Sequence, residues 1–196
     1  MSRSLLDIKF IANLRTAAML FVVTVVFVGT FCPAFLMSLQ LVPYNVVGHR
    51  HTFEMEQELA LLAGKTVKVH FTPTYVPIVR GILDVCHVFP TRSVTRDELL
   101  ALYRDFYREQ PFVLVYDLPK EVGASWQYKP YPWVSAVAGT NYCYVGLDVD
   151  ERRGRVVVFS VLDSIGKGGA QVGVENMNLM CGIDRTTALT RRGLHP

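Results

Sequence analysis

The sequence predicts an α+β domain with a mostly antiparallel or mixed sheet and helices on one face, preceded by an apolar helical leader. Three observations carry this expectation. Short runs of alternating apolar and polar residues recur after residue 66, helix-start signatures separate those runs, and residues 17–39 carry no charge at all.

Taken in order, the leader comes first. Met19–Val28 is continuous apolar sequence apart from Thr24, and the uncharged stretch is long enough to cross roughly 30 Å of hydrocarbon as a helix. Arg3, Lys9 and Arg15 precede it, which would keep the amino terminus on the cytoplasmic side. Residues 1–42 are therefore read as a leader, whose 17–39 segment is either a transmembrane helix or a non-native, mis-joined remnant whose valine-rich core would be a buried strand in its proper context; the length of the run and the want of a cleavage site speak against a signal peptide. The domain proper is expected over 43–189, able to fold alone, followed by a tail at 190–196.

Within the domain, Thr52 is expected to cap a helix running to about Ala63, with Met55, Leu59 and Leu62 on one face and Gly64 as the stop. Val67–Phe71 and Val79–Phe89 read as strands, with His70 and His87 as ordinary strand residues. Thr95–Glu98 is a capping box, and Leu99, Leu102, Tyr103 and Phe106 follow on one helical face to about Glu109. Further strands are expected at Phe112–Tyr116, Val134–Ala138, Tyr142–Val149 and Arg155–Leu162. The last two are joined by a hairpin turn at Asp150–Gly154. A final helix opens after Gly166–Gly169 and ends near Cys181, with Gly182 at its carboxyl end.

Composition narrows the function. The 196 residues are 51% hydrophobic and 19% charged, with a net charge of +3, and no basic stripe is present, so nucleic acid is not the expected partner. Cys32, Cys86, Cys143 and Cys181 are far apart and lack zinc-ligand spacing. No third ligand accompanies the histidine pair, so no metal site is expected.

Chemistry concentrates in three places. In an extended Gly48-His49-Arg50-His51, both imidazoles would share one side and could exchange protons near neutral pH. Arg80 could pair bidentately with a carboxylate or phosphate. Gly166-Lys167-Gly168-Gly169, opening a helix, combines backbone donors with a cation, although the spacing is not that of a P-loop.

Five ordered blocks extend these single features. They are Pro43–His51 with Glu54–Gln57, then Phe71–Ile82, then Gly139–Asn141, then Asp163–Gly168, then Glu175–Met180. Together they closely resemble the carboxyl-terminal half of the N-acetyl-gamma-glutamyl-phosphate reductase family, over roughly residues 43 to 189. The reductases acting on carrier-protein-linked aminoadipyl or glutamyl phosphate share these blocks and remain the alternative, as does a non-catalytic, membrane-anchored oligomerisation module.

The resemblance implies a fold like the carboxyl-terminal domain of glyceraldehyde-3-phosphate dehydrogenase, a homo-oligomer, a cytoplasmic location and NADP-dependent chemistry in arginine biosynthesis. In that chemistry a cysteine thiolate attacks an acyl phosphate, phosphate leaves, and hydride from NADPH gives a semialdehyde. Carried over by position, His49 or His51 is the acid–base residue, Arg80 binds the substrate anion, and Lys167, Gly168, Gly169 and Gln171 lie near NADP. The chain departs from the family at Thr74, at Phe53 and over Gln171–Glu175, where the family reads G-Q-A-V-Q. It also lacks the glycine-rich nucleotide fingerprint and the Asn-Pro-Gly-Cys nucleophile phrase, so by itself it is expected to be inactive.

Overall fold

The computed structural model describes residues 21–27, 40–117 and 131–194. The strands are β1 (Phe21–Phe27), β2 (Val42–Pro43), β3 (Val69–Phe71), β4 (Thr74–Tyr75), β5 (Ile82–Val88), β6 (Val113–Val115), β7 (Cys143–Asp150) and β8 (Arg155–Leu162). They make one sheet in the order β2-β4-β1-β5-β8-β7-β6, with β3 also on β1. The β1–β5, β5–β8, β7–β8 and β2–β4 pairs are antiparallel, while β1 runs parallel to β3 and β4, and β6 runs parallel to β7. The sheet is mixed, as the α+β reading expects.

The apolar run corrects that reading. Over residues 21–27 it is a strand, not a helix, and it lies inside the sheet. The sequence Phe-Val-Val-Thr-Val-Val-Phe is β-branched and aromatic throughout, which suits a pleated backbone, and hydrogen-bonding edges await it on both sides. Residues 17–20 and 28–39 of the expected membrane helix lie outside the described residues. Among the described residues no helix is long and apolar enough to cross a membrane.

Helix α1 spans Arg50–Ala63 and ends at Gly64, whose φ of 65° and N–H to the Ala60 carbonyl close the last turn. Its cap is His49, not Thr52, because the His49 Nδ1 lone pair accepts the His51 amide and the Thr52 amide goes to the His49 carbonyl. Met55 and Leu59 pack on Val69 and Phe71 of β3 together with Ile82 and Cys86, while Leu62 is exposed. Burial of a side chain the size of Val69 or Phe71 contributes about 1.5–3 kcal/mol.

Helix α2 spans Arg96–Phe106 and keeps its predicted Thr95 cap, with Oγ1 accepting the Glu98 amide at 3.2 Å. Its inward row is set by Leu100 and Tyr103, and Phe106 is exposed. Val134–Val137 forms a short helix, α3, where a strand was expected. The run is confined between Pro132 and Gly139, which turns the chain at a φ of 80°, so it is too short to join the sheet. The β7–β8 turn forms as expected: Asp150 Oδ1 accepts the Arg153 amide and Gly154 takes φ 58°. Helix α4 (Gln171–Met180) follows a widened turn at Gly166–Ala170.

Asp84 sits in the middle of β5 opposite Ser160, whose hydroxyl donates to it at 3.3 Å. Its charge adds to burial in raising the pKa of the Cys86 and Cys143 thiols. Burial raises the Asp84 pKa above the ordinary 3.8 despite the Ser160 bond. The folded state therefore holds more protons than the unfolded state above pH 3.8, and stability falls as pH rises through that window. Asp84→Asn should raise the midpoint of thermal unfolding at pH 7 by a few degrees, and the gap should close at more acidic pH.

A second outcome follows from β1. Removing residues 1–41 takes a strand from the interior of the sheet, so the remainder should lose cooperative unfolding in a calorimetric melt and aggregate more than the full chain. A truncated chain that melts like the whole would make β1 dispensable.

Candidate functional site

Two clusters form at one end of the sheet. The register pairs Phe27 of β1 with Tyr75 on one side and Ile82 on the other, and Ile82 in turn pairs with Leu162. Tyr75 and Ile82 are thus two strand spacings apart, about 10 Å. The histidine pair gathers near Tyr75, whereas Arg80 and the loop after β8 gather beside Ile82 and Leu162.

The first cluster is aromatic. His49 is 7% exposed. Its ring meets Tyr44 edge-on at 5.5 Å, Phe71 at 5.1 Å and His51 at 4.7 Å between centroids. The expected extended pair is replaced by one extended and one helical histidine, yet the two rings still touch. Because Nδ1 accepts a backbone amide, neutral His49 carries its proton on Nε2. Desolvation, then the proximity of His51 and of Arg50, lowers its pKa below the ordinary 6.5. His51 is more open, with Nε2 3.9 Å from a Glu54 carboxylate oxygen. Tyr44 stacks on Tyr75 at 4.1 Å, and burial, followed by the effect of Tyr75, pushes its pKa up to about 12, so it is a hydrogen-bond donor at neutral pH.

The second cluster centres on Asp163, which is fully buried. Arg80 meets it side-on along one edge, with Nε 2.7 Å from Oδ2 and Nη2 donating to Oδ1 at 2.8 Å. The same carboxylate accepts the amides of Ile165 at 2.8 Å and Gly166 at 2.7 Å, and a short bond from Gly139. Burial alone would raise the Asp163 pKa; Arg80 and the three amides outweigh it and leave the pKa below 3.8. The neighbouring Gly81 takes φ 125°, and a Cβ there would come within 2.0 Å of Val134. Gly166 has no room for a side chain either, since a Cβ would lie 2.5 Å from the Thr140 carbonyl oxygen.

The loop expected to meet a cofactor is largely engaged within the chain. Lys167 Nζ pairs with Glu175 at 2.7 Å and lies 5.3 Å above the Phe112 ring centroid. Glu175, standing where the family reads Gln, also accepts Asn141 at 3.0 Å and the Arg185 guanidinium. Burial raises its pKa, but Lys167, Asn141 and Arg185 together bring it below the ordinary value. The Gly168 amide is spent on the Asp163 carbonyl at 2.8 Å. Gly169 adopts a kinked backbone at φ −157°, ψ −106°. Gln171 Nε2 reaches the Gly139 carbonyl at 3.3 Å, and its Oε1 is buried with no hydrogen-bond partner among the described residues.

Arg80 and the Lys167–Gln171 loop thus meet through Asp163 and Gly139, and the histidines sit across β1. Tyr44, Asn141, Asp163, Glu175 and Arg185 were not singled out from the sequence. Four of the five lie inside the blocks that carry the family resemblance, but their pairing joins residues up to 83 positions apart. Among the described residues no group of three or more His, Cys, Asp or Glu could hold a metal ion.

The semialdehyde dehydrogenase dimerisation domain matches residues 35–164. The chain belongs to that family. Over its carboxyl-terminal part it is 46% identical across 153 residues to the N-acetyl-gamma-glutamyl-phosphate reductase of Desulforudis audaxviator, covering 78% of this chain and 41% of that protein. The reductase of Moorella thermoacetica is likewise 46% identical across 154 residues, with 79% and 42% covered. The chain therefore spans about two fifths of the length of the curated relatives it matches.

Among solved structures, the semialdehyde dehydrogenase fold recurs in aspartate semialdehyde dehydrogenase II from Vibrio cholerae. The TM-score is 0.58 at 14% identity, over 91% of this chain and 59% of that one. A probable aspartate-semialdehyde dehydrogenase from Pseudomonas aeruginosa gives 0.55 at 16% identity, over 90% and 60%. The family match takes in β2 through β8, and with them His49, His51, Arg80 and Asp163.

For this semialdehyde dehydrogenase domain, the His49 cap has a measurable signature. With the folded pKa lowered, the unfolded state binds more protons below pH 6.5, so this contribution to stability is present above that pH and is lost as pH falls. His49→Ala should cost about 1 kcal/mol in urea unfolding at pH 7.5, as loss of a helix cap does, while His49→Asn retains a capping acceptor and most of that stability.

Proposed function

We propose that this chain is the substrate-binding and dimerising carboxyl-terminal half of an NADP-dependent reductase that converts N-acetylglutamyl phosphate to its semialdehyde in arginine biosynthesis. The single observation that carries the reading is the fixed Arg80 fork at the same sheet end as the His49–His51 pair. Acyl-phosphate reduction needs both an anion clamp and a proton-handling group beside the acyl carbon. The role is that of a cytoplasmic homo-oligomeric enzyme.

The parts divide as follows. Asp163 engages the Nε–Nη2 edge of Arg80, and the other edge is left to hold a phosphate or carboxylate of the substrate. The Nε2 proton of His49 donates to the acyl oxygen as negative charge develops on it. His51, half open to solvent, gives and takes the proton.

The nucleophile comes from the part of the relatives that this chain does not span. Burial pushes the Cys86 and Cys143 thiols up to about 11, leaving them neutral at pH 7, and Cys32 lies outside the described residues. Bound NADPH supplies hydride. Gln171, through its unpartnered Oε1, suits an amide donor of that cofactor, and Gly169 keeps the approach open. Lys167 does not fit the role of a free phosphate cation, because Glu175 neutralises it.

The test is reconstitution. The purified chain alone should not oxidise NADPH in the presence of N-acetylglutamyl phosphate, and the nucleotide-binding half of a relative supplied separately should restore turnover. In the restored enzyme His51→Ala should lower kcat by about 10²-fold or more, and Arg80→Lys should act chiefly on KM. Turnover by the chain alone, or indifference to both substitutions, would overturn the assignment.

A further inference from the structure

The segment that follows residue 189 returns to the site. Leu189 anchors it, being 3% exposed, and Thr190, Arg191 and Arg192 then run exposed over the surface. The chain touches down again at Gly193 and Leu194. The Leu194 amide donates to the Ala138 carbonyl at 2.8 Å. Gly193 lies flat on the same stretch, since a Cβ there would stand 3.3 Å from the Ala138 carbonyl oxygen, 3.4 Å from that of Ala136 and 3.5 Å from Thr140 Cγ2.

Leu194 spends its side chain on one residue. It is 70% exposed, so it is no part of a core, yet its Cβ, Cγ and Cδ1 are the three atoms nearest to where a Cβ on Gly139 would stand. Gly139 holds a φ of 80°, a left-handed backbone that favours glycine, and glycine loses more freedom than any other residue on being fixed. What fixes it matters to the whole Asp163 cluster. Its N–H donates to Asp163 Oδ2, and its carbonyl accepts from Gln171 Nε2 at 3.3 Å. Asp163 in turn holds Arg80.

A Gly139 amide that rotates away takes a donor from a carboxylate that stays buried. That loss is costly, and the remaining partners of Asp163, the Arg80 guanidinium first among them, shift to make it good. A leucine packed where the Cβ would be takes away the room for the rotation.

We propose that Leu194 is a positioning residue for the Arg80 anion site: seated on Gly139, it holds that residue's amide on Asp163 and so fixes the guanidinium edge offered to a phosphate or carboxylate of the substrate. It acts through Gly139 and Asp163, at one remove from the substrate. The inference rests on the functional reading above in taking Arg80 to bind the substrate anion.

The experiment compares the full chain as wild type, Leu194→Gly and Leu194→Met. Hydrogen exchange of the Gly139 amide and of the Arg80 guanidinium protons, read by NMR on the chain alone, needs no turnover. Both should exchange at least about tenfold faster in Leu194→Gly, with the Leu99 amide of α2 and the melting temperature unchanged, and Leu194→Met should restore the wild-type protection. In the enzyme restored with the nucleotide-binding half of a relative, Leu194→Gly should raise KM for the acyl phosphate about five- to tenfold and leave kcat within about twofold, because the ground state and the transition state lose the same contact.

Unchanged exchange at Gly139 or at Arg80 overturns the proposal, as does a KM that does not move in the restored enzyme. Faster exchange throughout the chain with an earlier melt also overturns it, and leaves Leu194 as ordinary packing. A wild-type chain that no nucleotide-binding half restores removes the functional reading alone, and exchange at Arg80 then decides whether Leu194 positions the guanidinium.

Discussion

Strand β1 is the constraint on which the rest of the structure depends. Among the described residues it is the one strand that joins the β2-β4 edge and β3 to the β5-β8-β7-β6 block in the sheet order. The histidine pair belongs to the first group, through α1 and β3, while Arg80, Asp163 and the loop after β8 belong to the second. The spacing between the two halves of the site is therefore set by one strand width on each side of β1. Besides that strand, Val69 and Phe71 of β3 tie the groups together, since Met55 and Leu59 of α1 and Ile82 and Cys86 of β5 all pack against them.

Within the second group, two buried carboxylates divide the work. Asp163 is surrounded by donors, namely one guanidinium and three amides, so its desolvation is met by hydrogen bonds fixed in the backbone. Because those amides come from Gly139, Ile165 and Gly166, the pair locks two loops as well as one side chain. Glu175 does the same for the carboxyl-terminal segment, where Lys167, Asn141 and Arg185 converge on it. A glutamate at this position brings a full negative charge to the loop, and Lys167 is consequently a structural cation.

Local signals were legible in the sequence, and distant ones were not. The Thr95 cap, the Gly64 and Gly182 helix ends and the Asp150–Gly154 turn were readable because each is a matter of neighbouring residues. The strand character of residues 21–27 was obscured by the uncharged residues around them, since hydropathy alone does not distinguish a membrane helix from an apolar strand in the interior of a sheet; the partners at 69–75 and 82–88 are far along the chain. Val134–Val137 misled because four apolar residues have no periodicity to speak of. His49 and Arg80 were recognisable as residue types, whereas the bidentate hold of Asp163 on Arg80 needed two segments folded onto adjacent strands.

The capping of α1 by an imidazole has a consequence of its own. The Nδ1 lone pair of His49 is a single-occupancy position: it takes either the His51 amide or a proton, never both. Any proton that arrives there releases the first turn of α1, and Met55 and Leu59 on that helix rest against the sheet. Acidity is thus translated into slack at a helix end that belongs to the proposed site, whereas a hydrogen bond donated from Nε2 leaves the first turn untouched. The two ring nitrogens keep scaffold and hydrogen-bond donation apart.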